Sequence, residues 1–527
     1  MTRTGAGALM MIALAAGLAL RVARLDLQPM HNDEANQAVK FGALLERGEY
    51  RYDAEDHHGP TLYYLSLPAA WMRGQPTFAS VDEYTLRGVT AAFGAATILL
   101  LPLLSRGIGR TAVAAGAVLA ALSPALVFYS RMFIQEALFA CFTLAFLIAL
   151  GRLAVGGGLA WSAMAGVTAG LAVATKETSV IVLPAAFGAC AIAWWSLAHH
   201  QRRACMDGRW RQLVLVGLTA AAVVAAMFYS SFFVDPRGLL GPFQAAGTYF
   251  ARGVDPADHI NPWYFYFARL TYWSSGGLRW SEGLVLVLAI AGAVSGWSRL
   301  RPAAGNSAST TPPDRIFWTR YFTCYVVIVA ALFSAIPYKT PWNLLPFYVA
   351  MTVLAGIGFG ALIHATASGA VRAALVTTFV IASGQLGWQA WRASVIYASD
   401  QRNPYVYAHT VPDAVRMGTR IRDLTAVHPD GSGMQVSVIA PPHEQWPLPW
   451  YLRTLPHVGY WTTPGDALAL QAPVIVVSTQ HTEALDGVLG DRYVSEFYGL
   501  RPEVLLTLYI ERALWERFLA RAAESGA

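Results

Sequence analysis

Met30-His31-Asn32-Asp33-Glu34-Ala35-Asn36 comes a few residues after an almost wholly apolar segment, Thr4 to Ala23. That segment is long enough to cross a bilayer as a helix, and the chain turns polar as soon as it ends. Carboxylates are costly to hold at the mouth of a hydrophobic bundle, so Asp33 and Glu34 are functional candidates by position alone. The apolar stretch is longer than the core of a secretory signal, and no small-residue cleavage site with a soluble domain behind it follows. This predicts a retained signal-anchor helix.

Working outward, the 527 residues are 55% apolar and only 13% charged, which marks a polytopic membrane protein. Apolar runs near 4–24, 87–105, 111–129, 134–152, 159–175, 178–197, 212–233, 279–298, 316–336, 342–363 and 371–391 predict about eleven transmembrane helices by the ~20-residue criterion. The net charge is +6, and its basic residues cluster in short loops. Arg106, Arg110, Arg152, Arg202, Arg203, Arg209, Arg211, Arg299, Arg301, Arg315, Arg320 and Arg372 alternate with the runs. They read as topology signals and not as a nucleic-acid footprint. This set is cytoplasmic by the positive-inside rule, which places the N-terminus inside and the C-terminal segment outside. Cys141, Cys190, Cys205 and Cys324 all fall away from the outer segments, so no disulfide framework is implied.

The outer side differs in kind. It carries a long first loop, 25–86, a long aromatic loop, 234–278, and short turns at Ser130-Arg131, Thr175-Lys176-Glu177 and Tyr338-Lys339-Thr340. Trp263, Tyr264, Tyr266, Tyr272, Trp273, Trp342, Trp388 and Trp391 crowd this side as interface anchors. Within the first loop, Ala35 to Glu46 has helical spacing, and Thr61 to Met72 is an apolar piece too short to span. After Trp391 the composition becomes mixed. Gln435–Ala440, Pro473–Ser478 and Val504–Ile510 read as strands, and Asp413–Val427 and Glu511–Ala522 as helices. The chain therefore divides into a transmembrane part, 1–391, whose first outer loop is the catalytic candidate, and a small extracytoplasmic α/β domain, 392–527.

One outer face thus gathers Asp33, Glu34, Arg131, Glu136, Lys176, Glu177 and Lys339 at the ends of apolar helices. Singly, each has an ordinary explanation: a solvated cap, a snorkelling lysine, a structural ion pair. Together they suit transfer from a phosphate-bearing donor. A carboxylate can take a proton from an attacking hydroxyl, and cations can hold the departing phosphate. His31, Asp33, Asp53, Asp56, His57 and His58 also supply oxygen and nitrogen ligands in one loop, so a divalent metal ion on Asp33 and His57 is a candidate cofactor. No HExxH or paired-cysteine spacing specifies such a site.

His31-Asn32-Asp33-Glu34-Ala35 resembles the Asp-Glu motif of the membrane glycosyltransferases of the GT-C class. Gly48-Glu49-Tyr50, His58-Gly59-Pro60-Thr61-Leu62-Tyr63-Tyr64 and Asp82-Glu83-Tyr84-Thr85-Leu86-Arg87 resemble the rest of that loop. The likeness is to the protein O-mannosyltransferases and the lipid A aminoarabinose transferases. It is closer still to a prokaryotic branch named as flippase-activity-associated membrane proteins, through Ile336-Pro337-Tyr338-Lys339-Thr340-Pro341-Trp342 and Trp446-Pro447-Leu448-Pro449-Trp450-Tyr451. The resemblance implies a mainly α GT-C-type bundle with a small C-terminal α/β domain. It implies an inverting enzyme of the cytoplasmic membrane, moving a sugar from a polyprenyl-phosphate donor to a lipid, glycan or protein acceptor at the outer face, among membrane lipids. Asp33 matches the acidic residue near the acceptor, Glu34 its motif partner and Glu136 a second acidic position. Lys176, Lys339, Arg131 and His58 are the donor-phosphate candidates. Relatives often carry a lysine before Pro-Pro-Leu in the first loop, where this chain has His58-Gly59-Pro60-Thr61-Leu62, and histidine is cationic only part of the time near neutral pH. The rival reading is a lipid-linked glycan transporter or flippase accessory. Charges at helix ends and the absence of repeated halves count against it.

Overall fold

The computed structural model describes residues 2–48, 50–53, 58–197, 209–254, 259–297, 313–465 and 469–525. Among them, seven helices are long and apolar enough to cross a membrane: Arg3–Val22, Glu83–Ile108, Glu136–Ala154, Trp210–Tyr229, Asp314–Ala335, Pro341–Ala365 and Gly369–Ile396. Four shorter apolar helices, Arg110–Leu122, Leu159–Val173, Ser179–Trp195 and Gly283–Trp297, occupy the other apolar runs. The order of helices follows the sequence pattern, and the chain is a multi-pass membrane protein. The run read as 111–129 is shortened by local chemistry. Ser123 ends one helix, its hydroxyl accepts the Leu126 N–H at 3.2 Å, and Pro124 opens a new helix, Pro124–Tyr129.

The helix Leu345–Ala365 lies at the centre and is buried along most of its length. Its glycines allow this. A Cβ on Gly356 would strike the Ala112 carbonyl, and one on Gly358 the Leu288 carbonyl. Small residues let apolar helices approach where no hydrophobic force separates helix from lipid. Buried guanidiniums then tie helix ends together. Arg320 donates to Ser196 O at 2.8 Å and Gly296 O at 3.2 Å, at the C-terminal ends of two neighbouring helices. Arg21 donates to Ala120 O at 3.0 Å and Ala121 O at 3.1 Å. A helix C-terminus presents unpaired carbonyls and partial negative charge, which a cation satisfies without a carboxylate.

The first long loop forms two helices, Asn32–Arg47 and Thr61–Met72. The first ends at Gly48, whose φ of 66° is the left-handed conformation that glycine adopts freely. A short hairpin, β1 (Trp273–Ser275) with β2 (Leu278–Trp280), precedes Gly283–Trp297. Beyond the last long helix lies a five-stranded sheet made of β3 (Val436–Ile439), β4 (Val458–Trp461), β5 (Val474–Ser478), β6 (Tyr493–Arg501) and β7 (Val504–Glu511). Its order is β4-β3-β5-β7-β6, parallel around β3 and antiparallel around β7. Helices Pro412–Thr425, Thr479–Leu489 and Arg512–Ser525 pack on it. Trp263, Tyr264, Tyr272 and Trp388 are exposed, as interface anchors should be, whereas Trp342 is buried.

Candidate active site

Asp33 and Glu34 sit in the first turn of Asn32–Arg47, where the helix N-terminus favours negative charge. His31 is the N-cap: its Nδ1 accepts the Asp33 N–H at 3.1 Å, while the Glu34 carboxylate accepts the His31 N–H at 3.0 Å. From that turn the two carboxylates diverge. The Asp33 side chain is 45% exposed. Glu34 is fully buried, and Arg87 donates to both its oxygens at 2.7 Å. The Phe133 N–H adds a further bond at 2.7 Å. Arg87 also reaches Leu25 O at 2.6 Å and Gln28 O at 2.8 Å. The Glu34 oxygens are thus engaged by Arg87 and by backbone N–H groups, whereas Asp33 keeps a solvent-accessible carboxylate. The reason is geometric: consecutive helical residues point in different directions, and Glu34 falls on the packed side.

One turn on, Gln37 accepts from Gln135 Nε2 at 3.0 Å and from the Tyr63 hydroxyl. Gln135 precedes Glu136, whose Oε1 accepts from Lys176 Nζ at 2.5 Å. Lys176 also donates to Asn343 Oδ1 at 2.8 Å. Both Glu136 and Lys176 are buried. Beside Lys176, Glu177 pairs with His58 Nδ1 at 2.9 Å. Burial alone would raise the Glu177 carboxyl, but His58 and Lys176 hold it at about 2. Burial lowers the His58 imidazole, yet the Glu177 carboxylate outweighs it and leaves it raised. His58 is placed by a tight backbone match. Gly59 N–H donates to Thr175 O at 3.1 Å and Thr61 N–H to Ala174 O at 3.1 Å, and any Cβ on Gly59 would collide with Ala174.

Lys339 is also buried, and its ammonium donates to Asn261 O at 2.9 Å and Ile336 O at 2.5 Å, with no carboxylate partner among the described residues. Burial lowers its pKa. The turn that carries it continues to Trp342, which packs edge-on to His31 at 5.6 Å, and to Asn343, the partner of Lys176. The predicted donor-phosphate cations therefore separate. Lys176, Lys339 and His58 stand on interlinked segments. Arg131 does not join them. Its guanidinium donates to Leu20 O at 2.9 Å, Ala23 O at 2.6 Å, Arg24 O at 3.1 Å and Ser394 O at 3.2 Å. It caps the end of the first helix, so its described hydrogen bonds go to backbone carbonyls.

His57 and Asp56, proposed with Asp33 as metal ligands, lie outside the described residues. Among the described residues no group of three or more His, Cys, Asp or Glu side chains could hold a metal ion. His31, the nitrogen beside Asp33, stands 3.8 Å from its carboxylate and already accepts a hydrogen bond. Sequence reading did not single out Arg87 as the partner of Glu34, nor Asn343 and the glutamine bridge. Arg87 closes the Asp82–Arg87 stretch already likened to the family, so position could have found it. Asn343 is an unremarkable polar residue until Lys176 meets it.

Residues 11–240 match the family model described as dolichyl-phosphate-mannose-protein mannosyltransferase. No curated protein sequence matches the chain. Among solved structures, the chain is similar to ArnT from Cupriavidus metallidurans bound to undecaprenyl phosphate, with a TM-score of 0.60 and 15% identity over 97% of this chain and 99% of that one. It is also similar to the archaeal oligosaccharyltransferase AglB from Archaeoglobus fulgidus in complex with an inhibitory peptide and a dolichol-phosphate, with a TM-score of 0.60 and 13% identity over 97% of this chain and 77% of that one. The likeness therefore runs through the C-terminal sheet as well as the bundle. At these identities it is a likeness of fold, and the fold is the GT-C one that the first outer loop implied.

Proposed function

We propose that the chain is a membrane glycosyltransferase that moves a sugar from a polyprenyl-phosphate donor to an acceptor hydroxyl or amide at the outer face of the cytoplasmic membrane, with the N-terminus inside. The observation that carries this reading is one open carboxylate, Asp33, on the same helix that is bridged through Gln37 and Gln135 to a buried cluster of cations. Asp33 takes the proton from the acceptor as its heteroatom attacks the anomeric carbon. The bond from that carbon to the phosphate oxygen breaks, and the electron pair leaves with polyprenyl phosphate. Lys176, Lys339 and His58 stabilise the charge that gathers on the phosphate, and Glu136 orients Lys176. Partial exclusion of water strengthens these interactions. The engagement of Glu34 by Arg87 leaves Asp33 as the working carboxylate and supports a single, inverting displacement. The lipid phosphates in the ArnT and AglB structures support a lipid donor here, and the AglB peptide keeps a protein acceptor among the candidates. A divalent ion at Asp33 would act as a Lewis acid there and draw on the His57 segment. Sensitivity of turnover to a chelator reads it directly.

The test is donor turnover. Purified full-length protein in lipid is incubated with a panel of polyprenyl-phosphate sugars and a membrane extract, and release of free polyprenyl phosphate is followed. Wild type should release it, and Asp33→Asn should lose about 10²–10⁴-fold of the rate with its melting temperature unchanged. Full turnover by Asp33→Asn would remove Asp33 from the mechanism. No release by wild type from any donor would overturn the transferase reading.

A further inference from the structure

We propose that the C-terminal segment 403–501 is a positioning device for the catalytic loop, clasping Met30, His31 and Asn32 from both sides and so aiming Asp33; this rests on the role given to Asp33 above. Three consecutive residues of the first outer loop are held by partners from that segment. Met30 N–H donates to the Tyr451 hydroxyl at 2.7 Å, and Met30 O accepts from the Thr410 hydroxyl at 2.7 Å. His31 Nε2 lies 3.2 Å from Tyr407 O. With its amide oxygen and nitrogen assigned to suit these neighbours, Asn32 donates to Trp446 O at 3.2 Å and accepts from Arg501. The bonds at His31 determine its tautomer. Nδ1 accepts from Asp33 N–H, so the proton sits on Nε2 and is donated to Tyr407 O. His31 thereby transmits the position of Tyr407 to the backbone of Asp33.

The holding segment is itself anchored in the bundle by a carboxylate that the proposed chemistry does not use. Glu282 is fully buried and accepts from Tyr405 OH at 2.7 Å, Ser123 OH at 2.6 Å, Ala125 N–H at 2.8 Å and the Tyr348 hydroxyl. The Tyr129 hydroxyl donates to Tyr405 O at 3.0 Å, and Arg269 Nε to Pro404 O at 3.1 Å. A buried carboxylate needs donors to offset its lost hydration, and here four donors from three segments, Ser123 and Ala125, Tyr348, and Tyr405, supply them. The chain of contacts therefore runs from Glu282 through Tyr405 and Tyr407 to His31 and Asp33. Tyr451, Thr410, Tyr405 and Glu282 are positioning residues in this arrangement. Small misplacements of a reacting group are expensive, which is why a clasp remote from the substrate can matter.

Three full-length variants test this: Thr410→Val, which keeps shape and loses the hydroxyl, Thr410→Ser, which restores it, and Tyr451→Phe. Amide hydrogen exchange of the peptide covering residues 30–36 is measured beside kcat and donor KM, with melting temperature as the folding control. Thr410→Val and Tyr451→Phe should exchange faster at 30–36 and lose roughly ten- to a hundredfold in kcat at unchanged donor KM. Thr410→Ser should behave as wild type. Unchanged exchange in both defective variants, or faster exchange with full kcat, overturns the proposal. If wild type turns over no donor, the transferase reading fails, while the exchange data still decide whether the clasp exists.

Discussion

The Glu34–Arg87 pair at the root of the first long loop and the Glu136–Lys176 pair near two later interhelical turns look alike in outline. Each is a buried acid and base at the end of an apolar helix, joined at 2.7 Å in one case and 2.5 Å in the other. They differ in saturation. Glu34 receives two bonds from Arg87 and one each from the Phe133 and His31 N–H groups, while Arg87 spends its remaining donors on backbone carbonyls. Lys176 meets Glu136 and Asn343 and keeps a third ammonium proton without a protein partner among the described residues. A saturated pair can only hold structure. A pair with capacity to spare, beside other cations, can exchange a partner for a ligand.

The largest effect should come from breaking the saturated pair. Glu34→Gln leaves Arg87 charged and under-partnered in the interior, and should cost about 3–5 kcal/mol. It should show as a steep loss of melting temperature and yield. A Glu34→Gln protein that melts like wild type but loses turnover would reverse the comparison and return Glu34 to the chemistry.

The open pair should respond differently. Lys176→Met should reduce polyprenyl phosphate release on the order of 10²-fold with a smaller loss of stability. Replacing both partners, as Lys176→Met with Glu136→Leu, should recover melting temperature but not turnover, because apolar pairs often substitute for buried ion pairs in stability. Recovered turnover in the double variant would place Lys176 among the scaffold.

The smallest effect concerns the neighbouring His58–Glu177 pair and reads as pH dependence. Glu177 titrates at about 2 in the fold against an ordinary 4.5, so its stabilisation is present above 4.5 and fades as pH falls through about 2. His58 is raised above its ordinary 6.5, so its contribution is complete below 6.5 and fades as pH rises through the raised value. The pair thus stabilises most between 4.5 and 6.5. His58→Gln should flatten the melting-temperature profile across this window. A profile identical to wild type would show that the pair contributes nothing.

The legible parts of the fold were those with a continuous pattern. Each apolar run is largely helical, although the run at 111–129 is divided at Pro124 and only seven of the described helices are long enough to span, and Thr61–Met72 appears with the bounds its composition suggested. The strands β3 and β5 were readable because all their residues are buried, which yields unbroken apolar runs. The strands β4 and β6 were not. They are the two edges of the sheet, with faces partly in water, and their mixed residues carry no comparable signal. In the proposed site, Asp33, Glu136, Lys176, Lys339 and His58 were visible in the sequence as ionisable residues beside apolar segments, where charge needs a reason.

The sequence by itself determined the membrane class, the order of the helices and the interhelical turns that carry the charged residues, because hydrophobic run length and loop charge are local quantities summed along the chain. Only the tertiary structure decided which of those charges are free to act. Asp33 and Glu34 are adjacent in the chain, yet one is half in solvent and the other receives four hydrogen bonds in the interior. Arg131 lies in an interhelical turn yet spends its guanidinium on the carbonyls of the first helix and of Ser394. Such outcomes depend on which donors and acceptors from distant segments arrive at one place, and no local pattern records them.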